Sequence, residues 1–273
     1  MILKKLKVKK YKNLTDLDLD FGKTNRQAAL LIGNNGSGKS NVLEAISALF
    51  RELFKLAPEG FELPFFFEIN YELNGKDISI SFIETPKKIK FLVDSVEVSQ
   101  AAFHKSLVDY LPDQLIAIYS GEEQRLWDSF YKPFYFDFMS EVKSEFQGLP
   151  SPNLLYLNRY FWNISLLSLL YSELENNVVF CKSILKVDKL EDVLISFEFN
   201  VKNIQSFRSN SIVNFVKSLN PDSESSISIT ISQLRENSFI SSERELFVKL
   251  MASIMDKSES NKLINKIQIG FGN

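Results

Sequence analysis

Residues Ala29 to Ser40 read Ala-Leu-Leu-Ile-Gly-Asn-Asn-Gly-Ser-Gly-Lys-Ser. From Gly33 onward they fit the phosphate-loop pattern G-x-x-x-x-G-K-[ST] at every fixed position. The apolar run Ala28 to Ile32 predicts a buried strand that leads into the loop. After Lys39 the apolar spacing predicts a helix whose buried face carries Val42, Leu43, Ile46, Leu49 and Leu53. Strand, loop and helix therefore occur in the order that a phosphate-binding loop requires.

The composition of this loop has a physical reason. Its three glycines allow positive φ and a close approach of the backbone, so that successive amides can point at phosphate oxygens. Lys39 is predicted to reach the β- and γ-phosphates of ATP, and the Ser40 hydroxyl to coordinate Mg²⁺. The alternative is a glycine-rich turn that binds nothing. The predicted cofactor-binding residues of the loop are Gly33, Asn34, Asn35, Gly36, Ser37, Gly38, Lys39 and Ser40. A loop that is flattened, plugged or detached from a central strand would argue against a nucleotide role.

Composition places few limits on the partners. The chain has 273 residues, of which 45% are hydrophobic, and a formal net charge of -2, so no overall positive field indicates nucleic acid. A single cysteine, Cys181, excludes an internal disulfide, and with one histidine, His104, there is no Cys/His cluster for zinc. No apolar run is long enough to span a bilayer. We therefore expect a soluble, cytoplasmic protein without a membrane partner.

The N-terminus alternates in a way that is typical of strands. Ile2 to Lys10 alternates apolar residues with lysines, and Leu14 to Phe21 alternates apolar residues with Thr15 and aspartates. Two half-buried strands joined at residues 11–13 explain both patterns. The lysine and aspartate stripes are predicted to pair across the strands, an interpretation that we prefer to DNA contact by the lysines.

Two stretches together carry a family resemblance. Ile2 to Leu17 reads I-L-K-K-L-K-V-K-K-Y-K-N-L-T-D-L, and Leu31 to Ile46 reads L-I-G-N-N-G-S-G-K-S-N-V-L-E-A-I. This combination resembles the head domain of the ABC-type AAA family ATPases related to SMC and RecF proteins. The resemblance implies Mg-dependent ATP hydrolysis, a homodimer formed through the heads, and a basic residue near the nucleotide phosphates at the position of Lys12.

A third stretch narrows the resemblance. Ala117 to Trp127 reads A-I-Y-S-G-E-E-Q-R-L-W, which resembles a phrase in restriction-system-associated AAA family ATPases. That resemblance implies antiviral defence, with DNA and a nuclease or restriction-system protein as partners. Gln124 is a candidate for the glutamine that senses Mg²⁺ and the γ-phosphate. We interpret Glu122 and Glu123 as surface carboxylates, or as groups that contact the site residues without touching the ligand, and not as the catalytic base. The reason is that the Walker B acid of the family comes later in the chain.

Half of the expected catalytic machinery does not occur in the sequence. Hydrolysis needs an acid that holds Mg²⁺ and a group that orients water, yet no four-residue apolar run ends in Asp-Glu. Residues 134–137, Phe-Tyr-Phe-Asp, are the nearest imitation and are more typical of an aromatic core segment. The catalytic residues therefore stay unassigned. Besides an ATPase, two alternatives remain: a non-hydrolysing, nucleotide-responsive binding or scaffold module, and a decayed N-terminal fragment.

The fold class that follows is α/β. We expect a P-loop NTPase head of the ABC type at residues 1–147, in which a mixed β-sheet surrounds the Walker A helix and an antiparallel β subdomain follows. Residues 114–119 are predicted to form a central strand of this sheet. Residues 148–273 are expected to form a mainly helical insert, with helical spacing over 154–190 and the start of a further strand at the end, so that the head appears incomplete.

Overall fold

The computed structural model describes residues 1–22, 28–56, 63–118, 126–136, 138, 153–157, 161–187, 193–255 and 261–271. The chain divides into two compact units. The first unit comprises Met1–Leu115, Glu123–Tyr131 and Asn153–Leu155. The second comprises Ile116–Glu122, Lys132–Pro152 and Tyr156–Asn273.

A six-stranded sheet forms the centre of the first unit. Its order is β2-β1-β3-β4-β5-β6, and every neighbouring pair is antiparallel. The strands are β1 (Ile2–Tyr11), β2 (Leu14–Asp20), β3 (Phe67–Leu73), β4 (Lys76–Glu84), β5 (Lys87–Val93) and β6 (Val96–Val98). Between β3 and β4, Asn74 and Gly75 have φ of 52° and 76°, which is the turn that an Asn-Gly hairpin favours.

The two faces of this sheet differ as the sequence predicts. One face buries apolar side chains, among them Leu6, Ile69 and Ile80, each fully shielded from solvent. On the opposite face Lys7 lies across from Asp18 in the β1–β2 register, and its Nζ is 3.6 Å from carboxylate oxygens of both Asp18 and Glu68. The predicted pairing of the lysine and aspartate stripes is therefore confirmed, and lysines of β1 are engaged within the sheet.

Helix α1 (Lys39–Phe54) covers the apolar face of the sheet, where the rings of Phe50 and Tyr71 lie 6.1 Å apart between centroids. Phe65 and Phe67 are also buried, so these two rings contribute to the core. Three short elements complete the described helices of this unit. They are α2 (Gln100–Lys105), α3 (Leu107–Tyr110) and a π-helical turn, Trp127–Tyr131.

Strand β7 (Leu115–Ile118) corrects one expectation. The sequence predicts a central strand here, but within the described residues β7 pairs with β8 (Leu154–Leu157) alone. Both segments are apolar and short, and periodicity cannot show which strands will be neighbours.

The second unit combines a small sheet with helices. Its sheet has the order β10-β9-β11 and is antiparallel, with β9 (Val193–Phe199) between β10 (Ser226–Thr230) and β11 (Ile264–Phe271). Asn163 ties a helix to this sheet, because its Nδ2 donates to the carbonyl of Ile267 at 2.7 Å. The helices are α4 (Trp162–Tyr171), α5 (Glu175–Ser183), α6 (Val201–Ser206), α7 (Ser211–Leu219), α8 (Ile231–Arg235) and α9 (Glu243–Ile254).

The predicted α/β class is confirmed, while the predicted helical stretch 154–190 is only partly helical because 154–157 is strand. Among the described residues, no helix combines the length and apolar character needed to cross a bilayer. The same residues contain no group of three or more His, Cys, Asp or Glu side chains placed to hold a metal ion.

Candidate functional site

The phosphate loop has the backbone conformation that its glycines permit. Gly36 and Gly38 have φ of 82° and 94°, in the left-handed region that side chains with a Cβ rarely adopt. Gly33 does not share this conformation, contrary to the expectation from the sequence. A Cβ at Gly33 would lie 2.7 Å from the Ser37 hydroxyl oxygen and 3.3 Å from the Ser37 Cβ, so a side chain here would displace that hydroxyl. The loop thus folds back on itself tightly.

Lys39 lies against the loop that it follows in the sequence. Its Nζ donates to the carbonyl oxygens of Gly33 at 2.6 Å and Asn34 at 2.8 Å, and lies 3.5 Å from the Ser37 hydroxyl. All three partners belong to the loop. The ammonium is therefore placed among the residues predicted to surround a phosphate, while Ser40 is exposed at the start of the helix.

Helix α1 begins at Lys39 without a side-chain cap. Gly38 is the N-cap residue and has no side chain that could accept from the first backbone amides, and the first turn contains no acidic residue. Because a helix N-terminus carries a partial positive charge, a terminus without a side-chain cap and without an acidic residue in its first turn favours an anion. The electrostatics of the helix start therefore fit a phosphate group.

The approach to the loop differs from the expectation. Residues 28–34 form no regular secondary structure, and Leu30 and Ile32 are 82% and 86% exposed. The predicted buried strand at Ala28 to Ile32 is therefore wrong for this structure. The physical reason is that an apolar run becomes a strand only where another strand supplies hydrogen-bond partners, and no described strand pairs with it.

The buried face of α1 follows the predicted spacing with two departures. Val42, Leu49 and Leu53 are buried, whereas Ile46 is half-buried and Leu43 is 48% exposed. Tyr131 in the π-helical turn also packs here, and its hydroxyl lies 3.1 Å from that of Ser47. The helix is thus held by buried contacts along its length, which fixes the position of its N-terminus.

The turn between β1 and β2 lies beside α1. Lys12 and Asn13 are its two central residues, and Lys12 has φ of 54°, a conformation that favours glycine at this point of a two-residue hairpin. The Lys12 ammonium forms an ion pair with the Glu44 carboxylate of α1, to which the Tyr11 hydroxyl also donates at 3.4 Å. The structure therefore brings Lys12 to the helix that follows the loop.

Asn13 is a residue of this site that sequence reasoning missed. Its Nδ2 donates to the carbonyl of Gly36 at 2.8 Å, and its Oδ1 accepts from the Asn41 Nδ2 at 2.5 Å. A Cβ at Gly38 would lie 2.9 Å from Asn13 Oδ1 and 2.7 Å from a methyl carbon of Leu14. The signal was present in the two asparagines that follow Lys12 and Ser40, but only the fold shows that they meet.

Several other candidates cannot be placed. Glu122, Glu123 and Gln124 lie outside the described residues, as does Asp137. Tyr135, which belongs to the same stretch 134–137, is fully buried, and its hydroxyl accepts a hydrogen bond from the Tyr156 amide at 3.0 Å. This burial agrees with the prediction that the stretch is an aromatic core segment. The candidate site in the described residues therefore consists of the phosphate loop, the start of α1 and the β1–β2 turn.

A glycine-rich loop that enters the uncapped N-terminus of a long helix, within an α/β protein, defines the class of P-loop NTPases. Residues 28–168 match the family described as "AAA domain, putative AbiEii toxin, Type IV TA system", and this match covers more than half of the chain. The chain belongs to this family of AAA ATPases. The match begins at the apolar run before the loop and extends into helix α4.

Curated relatives support the same assignment. The chain is 29% identical over 160 residues to the DNA replication and repair protein RecF of Leptospira interrogans serovar copenhageni, strain Fiocruz L1-130. It is 29% identical over 163 residues to the RecF protein of Leptospira interrogans serovar Lai, strain 56601. Each match covers 52% of this chain and 42% of the relative, so the chain matches less than half the length of these relatives. The SMC/RecF-like resemblance is thereby confirmed.

Proposed function

We propose that this protein binds Mg-ATP through residues Gly33 to Ser40. One observation carries the proposal: the loop leads into a helix terminus that has neither a side-chain cap nor an acidic residue in its first turn, and the Lys39 ammonium lies against the loop. Main-chain donors, a lysine and the positive end of a helix dipole all favour a polyphosphate over other ligands. Ser40 is the residue that would coordinate Mg²⁺, because its hydroxyl is exposed at the first turn of α1.

Lys12 would contribute a second positive charge. The ion pair with Glu44 holds its ammonium at α1, and Glu44 follows Ser40 by one helical turn on the same face of that helix. A phosphate at the start of α1 would compete with the Glu44 carboxylate for this ammonium. The SMC/RecF-like resemblance, in which the corresponding basic residue lies near the phosphates, supports the same role.

The proposal extends from ATP binding to ATP hydrolysis. Membership of an AAA ATPase family supports it, but the sequence contains no Walker B pair, so the acid that would hold Mg²⁺ and orient water is not identified. In the complete arrangement implied by the resemblance, two heads form a dimer around the nucleotide and the partner's signature serine completes the site. DNA is the proposed macromolecular partner, since the matched relatives are named DNA replication and repair proteins.

A defence role is proposed on narrower grounds. The family description mentions the AbiEii toxin and type IV toxin–antitoxin systems, and the A-I-Y-S-G-E-E-Q-R-L-W stretch resembles restriction-system-associated ATPases. Both point to bacterial conflict with foreign DNA, with a nuclease or restriction-system protein as a further partner. Because function resides in sites and not in folds, this step rests on resemblance alone.

A non-hydrolysing, nucleotide-responsive module is the second candidate. The absent Asp-Glu pair favours it. The stretch 28–32, which pairs with no described strand, does not separate the two candidates, because it counts against the nucleotide-binding step that both share. The two candidates share the binding step and differ in turnover. Binding and turnover must therefore be measured separately.

The deciding experiment uses the purified 273-residue chain beside Lys39→Ala. Binding is measured by calorimetric titration with Mg-ATP, and turnover by release of inorganic phosphate. We expect the wild type to bind and Lys39→Ala to lose most of that affinity, because the variant lacks the loop ammonium. Turnover that depends on Lys39 selects the ATPase, and binding without turnover selects the module. Equal affinities of the wild type and Lys39→Ala for Mg-ATP would refute the proposal that this loop binds the nucleotide.

A further inference from the structure

We propose that Asn13 is a positioning residue that holds the phosphate loop in its binding conformation. Asn13 bridges two points of the loop region: it donates to the carbonyl of Gly36 in the middle of the loop and accepts from the side chain of Asn41 in the first turn of α1. This inference rests on the proposed nucleotide binding and adds a residue from outside the motif.

The need for such a tether follows from the composition of the loop. Gly36 and Gly38 occupy the left-handed region, and glycine loses more conformational freedom on ordering than any other residue. Fixing one residue of backbone costs about 1–2 kcal/mol, a cost that falls on ligand binding if the free loop is disordered. A hydrogen bond from a rigid neighbouring residue orders the loop when the protein folds, so that less conformational entropy is lost when the ligand binds.

The β1–β2 hairpin is a suitable neighbour. Strand β1 is hydrogen-bonded on both sides, to β2 and to β3, so the turn at its end is anchored in the six-stranded sheet. The turn also touches the loop directly, since a Cβ at Gly38 would meet both Asn13 and Leu14 at less than 3 Å. Contact and hydrogen bonding therefore fix the same part of the loop.

The side-chain chemistry selects asparagine at this position. Asn13 donates to the Gly36 carbonyl and accepts from the Asn41 Nδ2, and a single amide group supplies both the donor and the acceptor. An aspartate would accept from Asn41 but would face the Gly36 carbonyl without a proton and would add a negative charge beside the phosphates. Alanine would remove both bonds.

The test compares Asn13→Ala, Asn41→Ala and the double variant with the wild type, and Thr15→Ala serves as the control in the same hairpin. Affinities are measured for Mg-ATP and for inorganic tripolyphosphate. We expect Asn13→Ala to weaken the binding of both ligands by about tenfold, because one hydrogen bond to the loop and one to the start of α1 are lost. Thr15 is exposed on β2, so Thr15→Ala should bind as the wild type does.

The double variant separates positioning from a general loss of stability. If Asn13 and Asn41 act as one tether, the double variant should be no weaker than the poorer single variant, whereas independent defects would multiply. Wild-type affinity in Asn13→Ala, with binding still dependent on Lys39, would overturn the tether and leave the proposed function intact. A wild type that binds neither ligand would overturn both. If Asn13→Ala does not fold, Asn41→Ala tests the same tether from its other end.

Discussion

Lys12 and Glu44 form an ion pair between the β1–β2 turn and helix α1, although 32 positions separate them in the sequence. The Glu44 side chain is 2% exposed and that of Lys12 is 37% exposed, so the carboxylate is buried and the ammonium is half in water. Lys12 also adopts φ of 54°, which costs an L-residue about 1–2 kcal/mol. The chain thus keeps a strained lysine where it can neutralise a buried charge next to the phosphate loop.

Because the Glu44 side chain is buried and that of Lys12 is partly exposed, Lys12→Met and Glu44→Gln should have unequal effects on stability. Lys12→Met removes a counter-charge of the buried Glu44 carboxylate and should lower the free energy of unfolding by about 2 kcal/mol, less than for a fully buried pair because Lys12 is partly exposed. Glu44→Gln leaves only a hydrated ammonium and should cost about 1 kcal/mol or less. Urea unfolding at neutral pH measures both. A larger loss for Glu44→Gln than for Lys12→Met would contradict the assigned burial.

Gly38→Ala and Gly36→Ala form a matched pair in the loop. Both positions have positive φ, so both variants should lose about 1 kcal/mol of folding free energy from backbone strain. Gly38→Ala should lose about 1–3 kcal/mol more, because its Cβ meets Leu14 and Asn13 while that of Gly36 meets nothing within 4 Å. Urea titrations of the two variants provide the comparison. Equal losses of folding free energy in the two variants would show that Leu14 and Asn13 do not limit the space at Gly38.

Tyr71 offers a test of the sheet core. Its buried hydroxyl donates to the Tyr110 carbonyl at 2.6 Å, so Tyr71→Phe should lower the free energy of unfolding by about 1–2 kcal/mol. Burial raises the pKa of Tyr71 well above its usual value of 10. The folded state therefore binds this proton more tightly than the unfolded state, and the stabilisation present below pH 10 is lost as the pH rises above it. Above pH 10, the free energy of unfolding should therefore fall less steeply with pH in Tyr71→Phe than in the wild type. Urea unfolding across that range measures the difference.

Local patterns predicted much of the first unit. The Asn74-Gly75 turn, the alternation of β1 and β2, and the glycines of the loop each depend on neighbours close in sequence. The cross-strand pair of Lys7 with Asp18 follows from the β1–β2 hairpin. These features are decided within about twenty residues of chain, which is the range in which spacing and turn chemistry are informative.

The errors have a common physical origin in long-range pairing. Residues 28–32 have the composition of a buried strand, but a strand needs partners that local sequence does not name, and Leu30 and Ile32 are exposed. Residues 154–157 were predicted as helix and form β8, because their pairing with β7 overrides helical spacing. The bridge formed by Asn13 was missed for the same reason, since it joins residues 23 and 28 positions apart.

Glu245 and Lys249 give the second unit a pH dependence. Burial disfavours the charged form of Glu245, but hydrogen bonds from Lys249, at 2.7 Å, and from Ser241 outweigh it and lower the pKa of the carboxyl below its usual 4.5. A lowered pKa in the folded state means that the stabilisation is present above pH 4.5 and is lost as the pH falls below it. Glu245→Gln should therefore reduce the free energy of unfolding at pH 7, since it leaves the buried Lys249 ammonium without its carboxylate.

The same variant should be less sensitive to acid. Between pH 7 and pH 3, thermal unfolding of Glu245→Gln should change less than that of the wild type, because one proton-linked group has been removed. Glu236→Gln, at an exposed position that follows helix α8, is the matched control and should keep the wild-type pH dependence. If Glu245→Gln and the wild type lose stability in parallel below pH 4.5, the ion pair is not the group that titrates, and the acid sensitivity must come from other carboxylates.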